Sequence, residues 1–265
     1  MIGGLFHQGS GLGNQIFRYI TTRSLAEDLG TDFCMLYRQD GSGKEEGFKG
    51  QSFMDIDLGK DPMELLKGHR KFEEKKVVLD GVDVRSYDPE INFIKDNTFI
   101  DGEFQDQRYW GHHLKDIDNW LKTEPLEVPD DTCIIGFRGG EYYAVPDLGL
   151  PKEYFDKAIQ MMIEEGVTKF EVHTDDVNLA QRFFPEYECI HDIGYNWRSM
   201  RYAKNTIIAN SSFFIIPRLL KHMEDVEAVT LSPRGWARRN LSKGDNAGDF
   251  LWALPSNYYP QFRYI

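Results

Sequence analysis

The sequence has little cysteine, no excess of basic residues and no long apolar run. Its three cysteines, Cys34, Cys133 and Cys189, stand singly, and no C-x-x-C pair exists. That excludes a disulfide scaffold and argues against a zinc or dithiol redox motif, leaving free thiols in a reducing compartment. Lys and Arg number 31 against 43 Asp and Glu, a formal charge of −12. Nucleic acids and anionic membranes are reached through basic surface, so neither is expected as a partner. No stretch approaches the ~20 apolar residues of a membrane span. The opening MIGGLF lacks the basic start of a secretory signal, so a cytoplasmic location is expected, and the N-x-S sequons at Asn210 and Asn240 read as chance.

What is present is ordinary globular composition: 41% apolar and 28% charged residues, which excludes disordered and fibrous classes. The second half has the clearer rhythm. CIIGF, KFEVHT, YECIH, NTIIA and EAVTLS are short β-branched or aromatic runs, separated by helix-length amphipathic stretches. One of these, PKEYFDKAIQMMIEEG, has Pro151 at its start, Gly166 just past its end and a stripe of Tyr154, Ala158, Met161 and Met162. Such alternation predicts a parallel sheet covered on both faces. In the first half, MIGGLF, DFCMLY, KKVVL and NTFID read as strands and NQIFRYITTRSLAEDLG as a helix closed by Gly30. Asp61-Pro62-Met63-Glu64 offers a capped helix start, and QDQRYWGHHLKDIDNWL carries Trp110, Leu114, Ile117 and Leu121 at helical spacing. The stretch from Arg38 to Gln51 reads as a loop. Pro125 and Pro129 mark a break over 123–131, so two α/β domains are expected, 1–125 and 126–265.

In open α/β sheets ligands gather beyond the carboxyl ends of the strands. Arg138 follows CIIGF, Asp175 and Asp176 follow FEVHT, Asn210 and Ser211 follow TIIA, and Arg234 follows the last run. Each alone also fits a cap, a turn or a surface ion pair; their convergence on one predicted edge points to a ligand. In HQGSGLGNQIFRY, Gly9, Gly11 and Gly13 lie between a strand and a helix, where backbone amides and the helix start favour a phosphate or a closely held sugar. A merely tight turn also fits. A dinucleotide fingerprint does not, because Asn14 stands where its third glycine belongs.

These segments resemble the α-1,2-fucosyltransferase family. GLGNQIFRY is similar to its G-x-G-N-Q-x-F-x-Y opening, and GEFQDQRYW to a G-Y-x-Q-x-x-Y-F segment. GFRGGEY, HTDDVNLAQRFF, IIANSSF and LSPRGW follow in the family's order. The resemblance implies a GT-B-like architecture of two Rossmann-like domains facing a cleft. It implies an inverting, metal-independent transfer of L-fucose from GDP-β-L-fucose to a glycan hydroxyl, with no further cofactor. The nucleotide sugar would sit in the C-terminal domain and the glycan acceptor on the N-terminal side. Gly11, Gly13, Asn14, Gln15, Asp175, Asp176, Asn210, Ser211, Ser212 and Phe213 are then donor-binding residues. Arg138 would stabilise charge growing on the β-phosphate. The general base is open among Glu103, Glu141, His7 and His173; Glu103, beside the acceptor-side segment, is the one put forward. Where the family has H-x-R-R-G-D-Y, this chain has Gly136-Phe137-Arg138-Gly139-Gly140-Glu141-Tyr142, and Phe214, Ile215 and Ile216 follow Phe213 in place of S-W-W. Arg234, Arg238, Arg239 and Lys243 are candidates to supply the missing positive charge.

Three other readings stay open. A metal-dependent transferase would use the D-x-D spellings Asp55-Ile56-Asp57 or Asp116-Ile117-Asp118 on the diphosphate. A non-catalytic nucleotide- or sugar-binding protein would keep the fold with an eroded site. A glycosidase would need two opposed carboxylates, which no motif singles out.

Overall fold

The computed structural model describes residues 1–7, 9–37, 47–64, 68–79, 82–85, 87–144, 148–234 and 258–265. The chain divides into two compact units after Thr123, and 258–265 belong to the second. Both are Rossmann-like α/β units built on a parallel sheet.

The first unit begins with β1 (Ile2–Phe6), α1 (Leu12–Leu29) and β2 (Phe33–Tyr37). It continues with β3 (Arg70–Glu73), β4 (Lys76–Leu79), β5 (Val82–Arg85), β6 (Thr98–Asp101) and α2 (Leu114–Trp120). Its main sheet runs β2-β1-β6-β3, all parallel. The helix α1 is buried along most of its length, with Ile16, Phe17 and Ile20 inaccessible and Phe17 5.7 Å from Trp110. Gly30 ends it at φ 60, a conformation costly for any residue with a Cβ, and its amide caps Ala26 and Glu27 carbonyls.

Two details depart from the sequence reading. KKVVL is a strand as expected, β4, paired antiparallel with β5 outside the main sheet. The strand not read from the sequence is β3, which borders β6 on the side away from β1 and carries one apolar residue, Phe72, so that it gives no alternating signal. QDQRYWGHHLKDIDNWL is not one helix but two 3₁₀ turns, Gln107–Tyr109 and Gly111–His113, leading into the short α2. Trp110 breaks the run at φ −142 because its indole N–H reaches back 3.0 Å to the Phe104 carbonyl.

The second unit is β7 (Thr132–Phe137), α3 (Glu141–Ala144), α4 (Lys152–Glu164), β8 (Lys169–Thr174), α5 (Val177–Phe183), β9 (Glu188–Ile190), α6 (Ile193–Tyr202), β10 (Asn205–Ile208), α7 (Ile215–Glu224), β11 (Val229–Ser232) and β12 (Arg263–Tyr264). The strands are all parallel in the order β12-β11-β10-β7-β8-β9. Counted from its own first strand, this is the doubly wound 3-2-1-4-5-6 order read from the other edge, and its switch point lies between β7 and β10. The core holds Ile135, Phe137, Phe155, Ala158, Met162 and Ile207. Arg218 on α7 is fully buried, and its guanidinium donates to the Met200 and Ala203 carbonyls at 2.9 and 2.6 Å and to Thr230 Oγ1 at 2.9 Å. It thereby closes the last turn of α6 on the β10 and β11 starts, which explains a cation in an otherwise apolar stripe.

Candidate functional site

At the switch point of the second unit, the chain leaves β7 through Arg138, Gly139 and Gly140. Arg138 pairs with Asp175 Oδ2 at 2.5 Å through one guanidinium nitrogen and with Glu141 Oε1 at 3.3 Å through the other, and lies 5.2 Å over the Tyr142 ring. Its buried Nε has no hydrogen-bond partner. The acidic pair at the end of β8 holds the same loop. Asp175 Oδ1 accepts from the Gly139 amide at 2.8 Å, and Asp176 Oδ2 from the Gly140 amide at 3.3 Å. The other Asp176 oxygen caps α5 by accepting from Leu179 N at 3.0 Å. A guanine contact by either residue would therefore displace bonds already made.

Across the switch point, β10 runs into Ala209-Asn210-Ser211 and a 3₁₀ turn at Ser212–Phe214 that opens α7. Neither Ser211 nor Phe214 caps the following turn with its side chain, while the Phe214 and Ile215 amides close the 3₁₀ turn on the Ser211 and Ser212 carbonyls, so the positive end of this run carries no side-chain acceptor. Asn210 is buried; its amide nitrogen donates to the Leu148 carbonyl at 3.0 Å, and its Oδ1 has no partner. Ser211 hydrogen-bonds the Tyr142 hydroxyl, whose pKa burial pushes up. Phe213 stands edge-on to Trp197 at 5.8 Å and to Phe214 at 5.4 Å.

The glycines around Arg138 have steric reasons. A Cβ at Gly136 would come within 2.6 Å of the Phe214 ring and 2.9 Å of Met200 Cε, and one at Gly139 within 2.7 Å of Asp176 Cβ. Phe214 therefore fills the space of a side chain at 136, and Asp176 that of one at 139. Gly136→Ala is expected to lower stability by about 1–3 kcal/mol through overpacking. Adding Phe214→Leu should recover part of that loss, and thermal melts of the two variants would show it; an additive pair would mean the contact is not the cause.

In the first unit the corresponding edge carries a charged network. His7 Nε2 lies 2.8 Å from Asp101 Oδ1; Arg18, only 3% exposed, reaches Asp101 Oδ1 at 3.4 Å and Glu103 Oε1 at 2.7 Å. Burial alone would raise the Asp101 carboxyl, but the hydrogen bond and charge of His7, with the Arg18 guanidinium, hold it below the ordinary carboxylate range. The segment is over-determined. Buried Glu74 accepts from the Glu103 and Phe104 amides at 2.7 and 3.2 Å, and Phe104 keeps a left-handed φ of 50, costly for a residue with a Cβ.

The glycine-loop residues support this edge rather than point out of it. Gly11 is the N-cap of α1 without a side-chain cap bond, and Gly13 is buried in its first turn. Asn14 Oδ1 accepts from Gln105 Nε2 at 3.1 Å, and buried Gln15 accepts from Lys49 N at 2.9 Å.

No protein-family model matches the sequence. No curated protein sequence matches it either. Among solved structures, the chain is similar to the fucosyltransferase NodZ from Bradyrhizobium, with a TM-score of 0.49 and 12% identity over 83% of this chain and 92% of that one. It is also similar to a glycosyl transferase family 9 protein from Veillonella parvula DSM 2008, with a TM-score of 0.43 and 10% identity over 100% of this chain and 85% of that one. Likeness at this level carries no functional weight, and the site is read from its own geometry.

The structure thus brings Arg138, Asp175, Asp176, Asn210, Ser211, Ser212 and Phe213 to one sheet edge, and His7, Gly11, Gly13 and Glu103 to the other unit's edge. His173 is a core residue: 1% exposed, 3.5 Å from Glu171 Oε2 and with its ring 5.4 Å from that of Tyr195. Asp57 caps a turn through Gly59 N at 2.8 Å, and Asp116 pairs with His113 at 2.9 Å. Arg234 is exposed after β11. Arg238, Arg239, Lys243 and the tryptophan of LSPRGW lie outside the described residues. Sequence reasoning missed Arg18, Asp101 and Glu74.

Proposed function

We propose that the chain is an inverting, metal-independent glycosyltransferase that moves L-fucose from GDP-β-L-fucose to a glycan hydroxyl. The observation that carries the transferase reading is that the Arg138 guanidinium and the start of α7, which has no side-chain cap, follow the two strands flanking a doubly wound switch point. A diphosphate leaving group that displaces the exposed Glu141 carboxylate from Arg138 meets there a planar guanidinium and a fixed positive dipole, whose attraction strengthens as its charge grows. No divalent ion is needed for that role. The second unit is read as the donor side and the first as the acceptor side. Fucose and GDP rest on the sequence resemblance.

In the acceptor half of the reaction, His7 takes the proton from the attacking hydroxyl through the imidazole nitrogen left free once the other faces Asp101. The ionised Asp101 carboxylate orients the ring and stabilises the imidazolium that forms. Glu103 is read as the counter-ion that, with Asp101, fixes Arg18. The acceptor oxygen bonds to the anomeric carbon as the bond to the diphosphate breaks, inverting configuration.

Calorimetric titration with GDP, UDP, ADP and CMP, each with and without EDTA, tests the donor assignment. GDP should bind selectively and equally well in chelator. Binding of another nucleotide instead would retire fucose while keeping transfer. Binding that vanishes in EDTA would favour a metal-held diphosphate. No binding to any of the four would favour a site that has lost its chemistry.

A further inference from the structure

We propose that Asp28, His112 and His113 form a binding site for a zinc-type divalent cation that ties the end of α1 to the turn before α2. One ligand atom from each residue lies within 4.8 Å of the others. His112 Nε2 is 3.1 and 3.0 Å from the two Asp28 oxygens, and His113 Nε2 is 2.9 Å from Asp28 Oδ1. Ligands of a tetrahedral zinc, each about 2.0–2.1 Å from the ion, stand about 3.3 Å apart. The two Asp28–histidine distances fall slightly short of that spacing and the two imidazole nitrogens lie within 4.8 Å of each other, so modest side-chain movement admits an ion, with water as the fourth ligand.

A second feature is independent of that spacing. His113 Nδ1 lies 2.9 Å from Asp116 Oδ2. A carboxylate behind the far nitrogen of a ligating histidine is the usual outer support of a metal site, because it fixes Nδ1 as the protonated nitrogen and turns the Nε2 lone pair toward the ion. With Nδ1 facing Asp116, Nε2 of His113 is turned toward the Asp28 carboxylate. The ring is also held in place: His113 lies 5.8 Å from the Trp120 ring and its side chain is 16% exposed.

Two imidazoles and one carboxylate select borderline cations such as zinc, cobalt or nickel over magnesium and calcium, which prefer all-oxygen sites. The place is structural rather than catalytic. The helix α1 leaves the sheet edge that carries His7, and Asp28 is in its last turn, ~25 Å along the axis from Leu12. An ion there does not reach the His7–Asp101 pair, so the inference does not depend on the function proposed above.

The test uses the full chain without an affinity tag, stripped with EDTA and exchanged into chelator-free buffer. Zinc should bind with a stoichiometry of one and a Kd of about micromolar or tighter, raise the melting temperature and release protons, while magnesium does none of these. Cobalt should give the intense visible bands of tetrahedral coordination. Asp28→Asn and His112→Ala, both exposed, should weaken zinc binding at least ~100-fold, and Asp116→Asn about tenfold. Their circular dichroism without metal should match the parent. Zinc binding no tighter than millimolar, or binding unchanged in the His112→Ala/His113→Ala double variant, would overturn the site. Loss of folding in a His113 variant leaves the decision with Asp28→Asn and His112→Ala.

Discussion

Replacing Arg138 by alanine is expected to lower kcat by about 10²–10³-fold, which is ~3–4 kcal/mol of transition-state stabilisation, and to weaken nucleoside diphosphate binding at least ~tenfold. The loss should fall mainly on kcat, because the guanidinium meets more negative charge on the departing diphosphate than on the bound donor. Lysine should not restore the rate, since a point charge cannot reproduce a planar fork. The fold should hardly change. The Arg138 side chain is 30% exposed, and its partners Asp175 and Glu141 are 28% and 75% exposed, a setting in which ion pairs contribute about 0–1 kcal/mol. A melting temperature near that of the parent with activity gone would assign Arg138 to the chemistry. Full activity in the alanine variant would remove the observation on which the transferase reading stands.

The donor edge was legible because its logic is local. The strands β7, β8 and β10 of the second unit are short runs visible in the sequence, and the residues after them are the residues at the sheet edge, so Arg138, Asp175, Asn210 and Ser211 could be placed together from spacing alone; β12, only Arg263–Tyr264, gave no such signal. Their duties could not. Asp175 and Asp176 face Gly139 and Gly140 because those glycines allow the loops to meet closely, and that contact spans 36 positions in sequence. The acceptor edge was less readable still. Arg18 lies inside a helix and carries no signal of its own in the sequence, yet it is buried against Asp101 and Glu103, 83 and 85 positions away. Asp101 ends a short strand, one of whose two main-sheet neighbours, β3, has a single buried apolar residue. Glu103 was put forward on sequence as the base; it is paired with Arg18 at 2.7 Å, whereas His7 has a carboxylate beside it.

That difference sets the second large expectation. His7→Ala should lower kcat by about 10²–10⁴-fold while leaving nucleotide affinity unchanged, the reverse of a donor-side defect. Asp101→Asn should fall between it and the parent, because the ring loses both its orientation and the partner of its imidazolium form. Glu103→Gln should be the mildest of the three; if it exceeds His7→Ala, Glu103 is the proton acceptor and His7 a spectator. Asp101 also leaves a mark on stability. Its carboxyl titrates lower in the folded chain than in the unfolded one, so the unfolded state binds more protons in the interval between the two values. Its contribution is therefore complete above the unfolded carboxyl range of about 4 and is lost as pH falls through the folded value. Acid melts of Asp101→Asn should accordingly show a shallower fall in stability below pH ~4 than the parent. An identical fall in both proteins would mean that His7 and Arg18 do not hold Asp101 ionised, and the proposed orientation of the base would go with it.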